Sequence, residues 1–431
     1  MNSTWRILVG YLLYIAFGTI MFMLPMSQVS GEGLSVVDAL FIAVSGISGT
    51  GLSPIPVTDM TIIGQVVLLT LIFFGGLGYM TFTAFISVSI RGTMTTSQHK
   101  VMRKTFALPN DINLGQFVLN IGIYALIVQI IGAILLFFVF QDDPRANPVW
   151  SAIFHSVSSF GTAGFSIYPN GLESYSMNGA LNLIVSTICL LGSIGFIVAT
   201  DVGSVLRGHR QRITLTTRVV LILMATFISG AIGLMLFFGG VDQGEGLYHN
   251  FLITSFHVVN AITSAGFNTI PLAEISGSFA LILMILMTIG GAPSGTSGGM
   301  KITTISAVFA AIRSFIVGDK QVTMLKRVIP QERVRVALST ATVYMTMLLV
   351  GYLLLLLVEG DLGFRELLFE AVSGLGTAGL SMGITSQLGD LGKLVIALMM
   401  YMGRVGVLTI MATILVQNRK RVDIQYEDVA V

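Results

Sequence analysis

Four stretches of this chain share one ten-residue pattern: VSGISGTGLS at 44–53, VSSFGTAGFS at 157–166, VNAITSAGFN at 259–268 and VSGLGTAGLS at 372–381. Each stretch ends a short amphipathic segment and begins one that is rich in turn residues. Each has a glycine at the same place, namely Gly51, Gly164, Gly266 and Gly379. A fourfold repeat of this kind in a hydrophobic chain predicts four pore loops around one axis.

The composition of the chain is that of a membrane protein. Hydrophobic residues make up 54% of it and charged residues only 10%, against roughly 25% charged residues in soluble domains. The mean hydropathy is +0.87, and the basic loops are too modest to indicate nucleic-acid binding. The single cysteine, Cys189, allows no intramolecular disulfide, and the apolar run around it favours a packed thiol over a reactive one.

Eight apolar runs reach the roughly 20 residues that a membrane-spanning helix needs. They lie at approximately 7–26, 61–90, 114–140, 179–205, 219–240, 277–316, 336–358 and 393–417. The first run is long enough to span the membrane, so we interpret it as a transmembrane helix and not as a cleavable signal. One copy of the repeated pattern lies between the two runs of each successive pair. The predicted unit is therefore helix, pore loop, helix.

Four such units account for nearly the whole chain. The predicted fold is an all-α membrane protein with eight spanning helices, in which four repeats surround one pore with pseudo-fourfold symmetry. Each unit crosses the membrane twice, so all four have the same orientation, which favours rotation about the membrane normal over an inverted repeat. The predicted boundaries are 1–105, 106–216, 217–333 with an interrupted second helix, and 334–418, followed by a cytoplasmic tail at 419–431.

The basic residues predict the orientation of the chain. The segments after the second helices contain Arg91, Lys100, Arg103, Lys104, Arg207, Arg210, Arg212, Arg218, Lys320, Lys326, Arg327, Arg333, Arg335, Arg419, Lys420 and Arg421. The opposite side contains only Arg145, Arg365 and Lys393. The positive-inside rule therefore predicts that both termini are cytoplasmic and that the repeated loops enter from outside.

Most carboxylates fall on the predicted outer side, where a negative vestibule would concentrate cations. They are Glu32, Asp59, Asp142, Asp143, Glu173, Asp242, Glu245, Glu274, Glu359, Asp361 and Asp390. Any one of them is equally well explained as a solvated loop residue. The prediction of a negative vestibule therefore depends on the excess of carboxylates on this side as a whole. Asp38 and Glu366 either brace the short helices or face the vestibule.

The repeated pattern has a chemical logic that does not depend on charged side chains. A short helix would end at depth and direct the partial negative charge of its C-terminus at the pore centre. Small residues and a final glycine permit unusual backbone angles, so successive carbonyl groups can point inward and replace the water shell of a monovalent cation. The predicted filter residues are Ser48, Gly49, Thr50, Gly51, Gly161, Thr162, Ala163, Gly164, Thr263, Ser264, Ala265, Gly266, Gly376, Thr377, Ala378 and Gly379.

These residues and their order resemble the Trk/Ktr/HKT superfamily of cation transporters, and by chain length most closely the membrane subunit of the bacterial Ktr potassium system. The resemblance covers essentially the whole chain, and the filter glycine is present in all four units. In plant relatives a serine in place of the first glycine accompanies sodium selectivity. Gly51 at that position therefore implies a preference for potassium.

Glycines recur in the second helices at a similar distance after the filter glycines. They are Gly75, Gly192, Gly290 and Gly403. In the last unit Arg404 follows directly, and a cation inside a spanning helix costs several kcal/mol unless it is paired or lies in a wet cavity. The arginine is either a structural link to a neighbouring carbonyl or a gating contact beneath the filter. The resemblance implies the second role, because the family has a basic residue near the pore there.

The second helix of the third unit is interrupted by GGAPSGTSGGMK at 290–301, which cannot remain a regular helix. The resemblance implies an intramembrane loop that closes the path below the filter. The predicted gate residues are Gly290, Gly291, Gly295, Thr296, Ser297, Gly298, Gly299, Lys301 and Arg404. A phosphate-binding loop is the alternative, but Met300 and Ile302 stand where that motif needs glycine and serine or threonine.

The predicted function is potassium uptake across the bacterial cell membrane without enzymatic activity, driven in principle by the membrane potential. The resemblance implies a homodimer and a cytosolic ring of regulatory subunits that bind ATP or ADP, whereas this chain has no nucleotide site. Sodium would be either co-transported or modulatory. The alternatives are the filter subunit of a potassium-pumping ATPase, which generally has more helices, and a membrane enzyme, which would need more titratable groups inside the membrane.

Two histidines occupy equivalent places in the predicted short helices. They are His155 and His257, and the other two units have Ile42 and Glu370 there. No cysteine or carboxylate accompanies them at metal-ligand spacing. Hydrogen-bonded helix residues are therefore the favoured interpretation.

Overall fold

The computed structural model is mainly helical, and it describes residues 3–78, 114–208, 211–238 and 246–406. In chain order its helices are α1 (Ser3–Met23), α2 (Val36–Ser48), α3 (Ile62–Leu77), α4 (Leu114–Phe140), α5 (Pro148–Phe160), α6 (Gly179–Ser193), α7 (Phe196–Leu206), α8 (Leu215–Phe237), α9 (Leu247–Thr263), α10 (Gly277–Ile289), α11 (Ile302–Val317), α12 (Gln331–Val358), α13 (Phe364–Gly376) and α14 (Asp390–Val405). A small antiparallel hairpin, β1 (Thr323–Met324) and β2 (Arg327–Val328), joins α11 to α12.

Within the described residues, each copy of the repeated pattern begins in a short helix, which is α2, α5, α9 or α13. At 13 to 17 residues, these helices are roughly 20–26 Å long, below the about 30 Å of a bilayer core. Each is followed by a loop with the repeated glycine, a single 3₁₀ turn and then a further helix. The 3₁₀ turns are Val57–Asp59, Glu173–Tyr175, Leu272–Glu274 and Thr385–Gln387.

Three of the described helices are long and apolar enough to cross a membrane, namely α4, α8 and α12. The pair α6 and α7 makes a fourth span if it is counted as one bent element. The eight predicted spans therefore stay a prediction. Parts of the runs predicted at 61–90, 219–240 and 393–417, and the tail predicted at 419–431, lie outside the described residues.

The prediction of one continuous helix over 179–205 was wrong. It forms α6 and α7, which are bent by 95° relative to each other. The break lies at Gly195, which has φ 90° and has the carbonyl oxygen of Pro293 against it. The Phe196 amide donates to the Ser294 carbonyl at 3.3 Å. A loop from the third unit therefore diverts this helix, which the local sequence could not show.

The helices pack in a cyclic order. The helix after each repeated loop packs against the short helix of the next unit: α3 on α5, α6 on α9, α10 on α13, and α14 back on α2. Buried hydrophobic clusters fill these junctions, and the largest joins residues of the first and last units, among them Phe41, Leu71 and Leu375. The first and last quarters of the sequence are therefore neighbours in space.

Polar contacts also cross each junction. Trp150 donates to Gln65 at 2.6 Å between the first and second units, and Lys393 pairs with Asp38 at 2.7 Å between the fourth and first. The others are Asn268 with Glu173 and Arg365 with the carbonyls of Ala273 and Ile275. Asp38, whose role the sequence left open, braces a short helix.

Candidate functional site

The four repeated glycines meet around one centre. A Cβ added to any of them would lie less than 3.0 Å from the carbonyl oxygen of the residue that precedes the glycine of another unit. For Gly51, Gly164, Gly266 and Gly379 in turn, those oxygens belong to Ala163, Ala265, Ala378 and Thr50. The contacts thus run from each loop to the next and return to the first. Only a residue without a side chain fits this close approach.

The four loops share one backbone conformation. In each, the repeated glycine has a positive φ, from 65° at Gly164 to 100° at Gly51. The residue two positions earlier also has a positive φ. These earlier residues are Gly49, Thr162, Ser264 and Thr377. Three of them are not glycine, although side chains disfavour this region by roughly 1–2 kcal/mol, so the surrounding structure must impose it.

A repeated hydrogen bond holds each loop against its short helix. The amide of the residue before the glycine donates to the carbonyl of the residue five positions earlier, at 2.8 to 2.9 Å in all four units. The donors are Thr50, Ala163, Ala265 and Ala378, and the acceptors are Ser45, Ser158, Asn260 and Ser373. The same bond in four loops explains why they follow the same path.

A cavity of ≈ 310 Å³ opens on the glycine ring. All four repeated glycines line it, together with residues of the loops that follow them. Its charged lining residue is Glu173, whose carboxylate accepts from Asn268 at 3.0 Å. Burial raises the pKa of Glu173, the Asn268 hydrogen bond opposes this rise, and the nearby Glu274 adds to it. The cavity is therefore a mouth with one carboxylate held at its edge.

A second outer cluster flanks this mouth in the second unit. Arg145 donates to Asp143 and lies over the rings of Tyr168 and Tyr175 at 5.2 and 5.3 Å. The hydrogen bonds from Arg145 hold the pKa of Asp143 well below its usual range. The Tyr168 ring stacks on His155 at 5.3 Å. These contacts connect the outer surface to the short helix behind the loop.

The interrupted segment 290–301 does not line this cavity, and it contacts the other units. The Thr296 amide donates to the Gly192 carbonyl at 3.1 Å, and the Ala292 amide donates to the Ser193 carbonyl at 3.0 Å. The Thr162 hydroxyl donates to the Thr296 hydroxyl at 3.3 Å. A Cβ at Gly298 would overlap with Thr377. The segment therefore touches loops of the second and fourth units.

Arg404 connects the interrupted segment to the first unit. Its guanidinium donates to the carbonyl of Thr296 and to the carbonyls of Gly75 and Gly76. Lys301 donates to the next two carbonyls of the same segment, those of Ser297 and Gly298. Two basic side chains thus occupy three consecutive carbonyl groups beside the ring of loops.

The glycines of the second helices do not all make the same contact. A Cβ at Gly75, Gly192 or Gly403 would overlap with the last-turn carbonyl of the short helix in its own unit. A Cβ at Gly290 would instead meet the carbonyl of Gly298, which belongs to its own segment. Gly290 therefore differs from the other three glycines, because the segment that begins with it turns back on itself.

The two histidines are hydrogen-bonded inside the short helices, as favoured from the sequence. His155 contacts the Ser151 carbonyl and His257 the Ile253 carbonyl, both at 2.8 Å. Among the described residues no group of three or more histidine, cysteine or acidic residues could hold a metal ion. The buried Cys189 is free in the described structure.

Some contacts of the site were not predicted from the sequence. Asn268 was missed at the mouth, although the sequence had a signal for it. Two residues after the glycine, three of the patterns have serine and this one has asparagine. The contact between Gly195 and Pro293 had no comparable signal.

Comparison with known proteins places the chain in a family. The profile of the TrkH family, described as a cation transport protein, matches residues 14–420. The chain belongs to the TrkH family. This match confirms the resemblance to the Trk/Ktr membrane subunits. The family is one of multi-pass membrane transporters and is not a class of enzymes.

Several relatives of the TrkH family member described here have names that specify an ion. The potassium/sodium uptake protein NtpJ of Enterococcus hirae is 32% identical over 97% of this chain and 94% of its own length. The Ktr system potassium uptake protein B of Vibrio alginolyticus is 30% identical over 94% of this chain and 89% of its own. The crystal structure of the potassium transporter TrkH from Vibrio parahaemolyticus matches with a TM-score of 0.71 at 20% identity, covering 94% of this chain and 84% of that one. This last likeness shows the fold.

Proposed function

We propose that this TrkH family member takes up potassium through the ring formed by its four loops. The observation that carries the proposal is the cyclic approach of Gly51, Gly164, Gly266 and Gly379, each against the backbone carbonyl of another unit. Relatives that match nearly the whole chain are named for potassium or potassium/sodium uptake. A site built from backbone carbonyls, with no metal-ligand cluster among the residues that the structure describes, suits a weakly held monovalent cation.

The backbone of the loops supports this selection. In an extended strand successive residues face opposite sides, whereas the alternation of positive and negative φ in each loop allows neighbouring carbonyl groups to turn to one side. Four short helices end at the loops and add the partial negative charge of their C-termini, about half an elementary charge each. A potassium ion that loses its water shell would find replacement oxygens at fixed positions. The membrane potential then supplies about 2.3 kcal/mol per charge per 100 mV.

The segment 290–301 is proposed as the gate below this filter. It contacts Thr162 and Thr377 of two loops, while Arg404 links its Thr296 carbonyl to the first unit. Arg404 and Lys301 donate to three consecutive carbonyls of this segment, so a leaving cation would meet the Arg404 charge and the Lys301 amine in its path. Opening requires the segment to move and the Arg404 contacts to break.

The assembly and setting are proposed on the same basis. The Ktr relatives are named as parts of a system, which supports a partner for this chain. From the resemblance we propose that the assembly is a homodimer with a cytosolic ring of nucleotide-binding subunits. ATP or ADP would then bind to the partner. We place the protein in the bacterial cell membrane with cytoplasmic termini because the basic residues fall on one side. Sodium is proposed as a co-transported or modulatory ion.

Rubidium uptake tests the transport proposal directly. A bacterium without its own potassium uptake systems would express the chain with and without a Ktr-type regulatory subunit, in medium with low potassium. We expect growth and rubidium uptake, with more uptake when the subunit is present. Normal membrane expression with neither growth nor rubidium uptake under either condition would refute the proposal.

A further inference from the structure

One position in the short helices has no role in the function proposed so far. Nine residues before the repeated glycines stand Ile42, His155, His257 and Glu370, and each is fully buried. Three of these four residues are polar, and burying a polar group is costly unless it is hydrogen-bonded. The partners of these three side chains therefore show what they do.

In the third unit a ladder of hydrogen bonds joins the helix to the segment that leaves the glycine. The Ala265 amide donates to the Asn260 carbonyl at 2.8 Å, and the Phe267 amide donates to the Asn260 side chain at 3.3 Å. The Thr269 amide then donates to His257 Nε2 at 3.3 Å. Alternate amides thus point to the helix. The ladder fixes which side of this segment faces away from the helix.

The hydrogen bonds of His257 determine its tautomer. Its Nδ1 lies 2.8 Å from the Ile253 carbonyl, and a carbonyl can only accept, so Nδ1 carries the proton. Its Nε2 is then free to accept from the Thr269 amide. The ring is held between Phe256 and Phe279, with centroid distances of 5.7 and 6.1 Å. His257 is therefore a neutral, fixed acceptor for one backbone amide.

His155 makes the corresponding contacts in the second unit. Its Nδ1 lies 2.8 Å from the Ser151 carbonyl, and its Nε2 lies 2.9 Å from the Ser166 hydroxyl. Ser166 is two residues after Gly164, and its oxygen also accepts from the Tyr168 amide at 3.1 Å. The same tautomer thus reaches the outgoing segment through a hydroxyl group.

Glu370 also contacts the segment that leaves the glycine in the fourth unit, whereas Ile42 makes no such polar contact in the first unit. The Thr385 hydroxyl donates to Glu370 Oε1 and lies 3.1 Å from the hydroxyl of Ser381, two residues after the glycine. The aliphatic Ile42 has no polar atom to offer. In that unit the Gly51 amide itself donates to the Ser45 hydroxyl at 3.1 Å.

We infer that His155, His257 and Glu370 are positioning residues for ion selection, each holding the segment that leaves its filter glycine. The first unit is held at the glycine amide instead. This inference rests on the proposed filter function of the ring. Since a cation is selected by oxygens at fixed positions, loosening one segment changes the relative affinity for potassium and sodium more than it changes turnover.

The test compares two substitutions of His257. His257→Phe keeps a ring between Phe256 and Phe279 but has no acceptor, whereas His257→Gln keeps an acceptor oxygen. Rubidium uptake would be measured in competition with potassium and with sodium, giving apparent KM and maximal rate for each variant. We expect His257→Phe to lower the potassium-over-sodium ratio about tenfold, as the loss of one buried hydrogen bond implies, and His257→Gln to restore most of it. The matched control Ile42→Val should keep the wild-type ratio.

The outcomes distinguish a failure of the positioning role from a failure of the transport proposal. A wild-type chain without rubidium uptake refutes the transport proposal, whatever the variants do. If the wild type transports and His257→Phe keeps its ratio, or if the Gln and Phe variants lose it equally, the positioning role is refuted. If His257→Phe does not reach the membrane, His155→Phe and His155→Gln decide by the same criteria.

Discussion

At the scale of single residues, the site depends on the absence of side chains. Gly51 combines a φ of 100° with an approach to the Ala163 carbonyl oxygen that leaves no room for a Cβ. The other three repeated glycines meet a neighbouring carbonyl in the same way. Arg404 is the opposite case, since its large side chain donates hydrogen bonds to three backbone carbonyls. Both kinds of residue act on backbone groups of other units.

Gly51→Ser is expected to lower the preference for potassium over sodium. The new Cβ would lie less than 3.0 Å from the Ala163 carbonyl oxygen and would displace an oxygen of the ring. The measurement is rubidium uptake in competition with each ion. Gly31→Ser is the matched control, because Gly31 has a φ of 74° and no atom within 4 Å of a Cβ. Unchanged selectivity of a normally expressed Gly51→Ser protein would contradict the role of Gly51.

Arg404→Gln is expected to raise the rate of uptake about tenfold, since it removes the charge and weakens charge-assisted hydrogen bonds worth roughly 1.5–3 kcal/mol each. Arg404→Lys keeps the charge and should stay closer to the wild type. The exposed Arg313 on α11 provides the control Arg313→Gln. Initial rates of rubidium uptake, normalised to protein in the membrane, measure the effect. An Arg404→Gln rate at or below that of the wild type would argue against a closing contact.

At the scale of elements, helices stop where another unit approaches. The α6 helix ends before Gly195 because Pro293 and Ser294 of the third unit lie there. The α10 helix ends at Ile289, and the segment after it lies across neighbouring loops before α11 begins. Breaks in the helices thus occur at contacts between units.

Gly298→Ala is expected to raise uptake without a loss of selectivity. The added Cβ would overlap with Thr377 and push the segment away from the loop of the fourth unit. A deletion of residues 293–296 should also raise the rate of uptake. The control is Gly203→Ala in α7, where a Cβ meets no atom within 4 Å. Uptake rates and the potassium-over-sodium ratio are both measured, and folded variants that conduct no faster than the wild type would count against gating.

At the scale of the whole molecule, the four units close a ring that joins distant parts of the chain. Helix α14 packs on α2, and Lys393 pairs with Asp38 at the same junction. The cavity above the ring is lined by all four repeated glycines, with Glu173 as its carboxylate. The mouth is therefore formed by the assembled ring and not by any one unit.

Uptake at low potassium is expected to weaken as the external pH falls. Burial and Glu274 raise the pKa of Glu173, so this carboxylate is neutralised at a higher pH than an ordinary glutamate, whose pKa is about 4.3. Glu173→Gln should remove this part of the pH dependence. Glu274→Gln should move it to lower pH, because it removes the repulsion. Apparent KM for potassium as a function of pH is the measurement, and identical profiles for the wild type and Glu173→Gln would contradict the assignment.

The sequence by itself determined the features that repeat or that are local. Composition indicated the membrane, and the recurrence around Gly51, Gly164, Gly266 and Gly379 located four equivalent loops, each after a short helix that the structure contains. Glycine and small residues also marked 290–301 as non-helical. These predictions succeed because spacing, hydropathy and backbone freedom are properties of neighbouring residues.

Only the tertiary structure decided which loop lies against which, and where the pattern fails. It divided the run at 179–205 at Gly195, separated Gly290 from the other three glycines, and placed Arg404 on the carbonyls of Thr296 and Gly75. These contacts join residues that are about one hundred to more than three hundred positions apart. They leave no periodic trace in the sequence, because backbone carbonyls and glycine surfaces are the same chemical groups everywhere until the fold brings particular ones together.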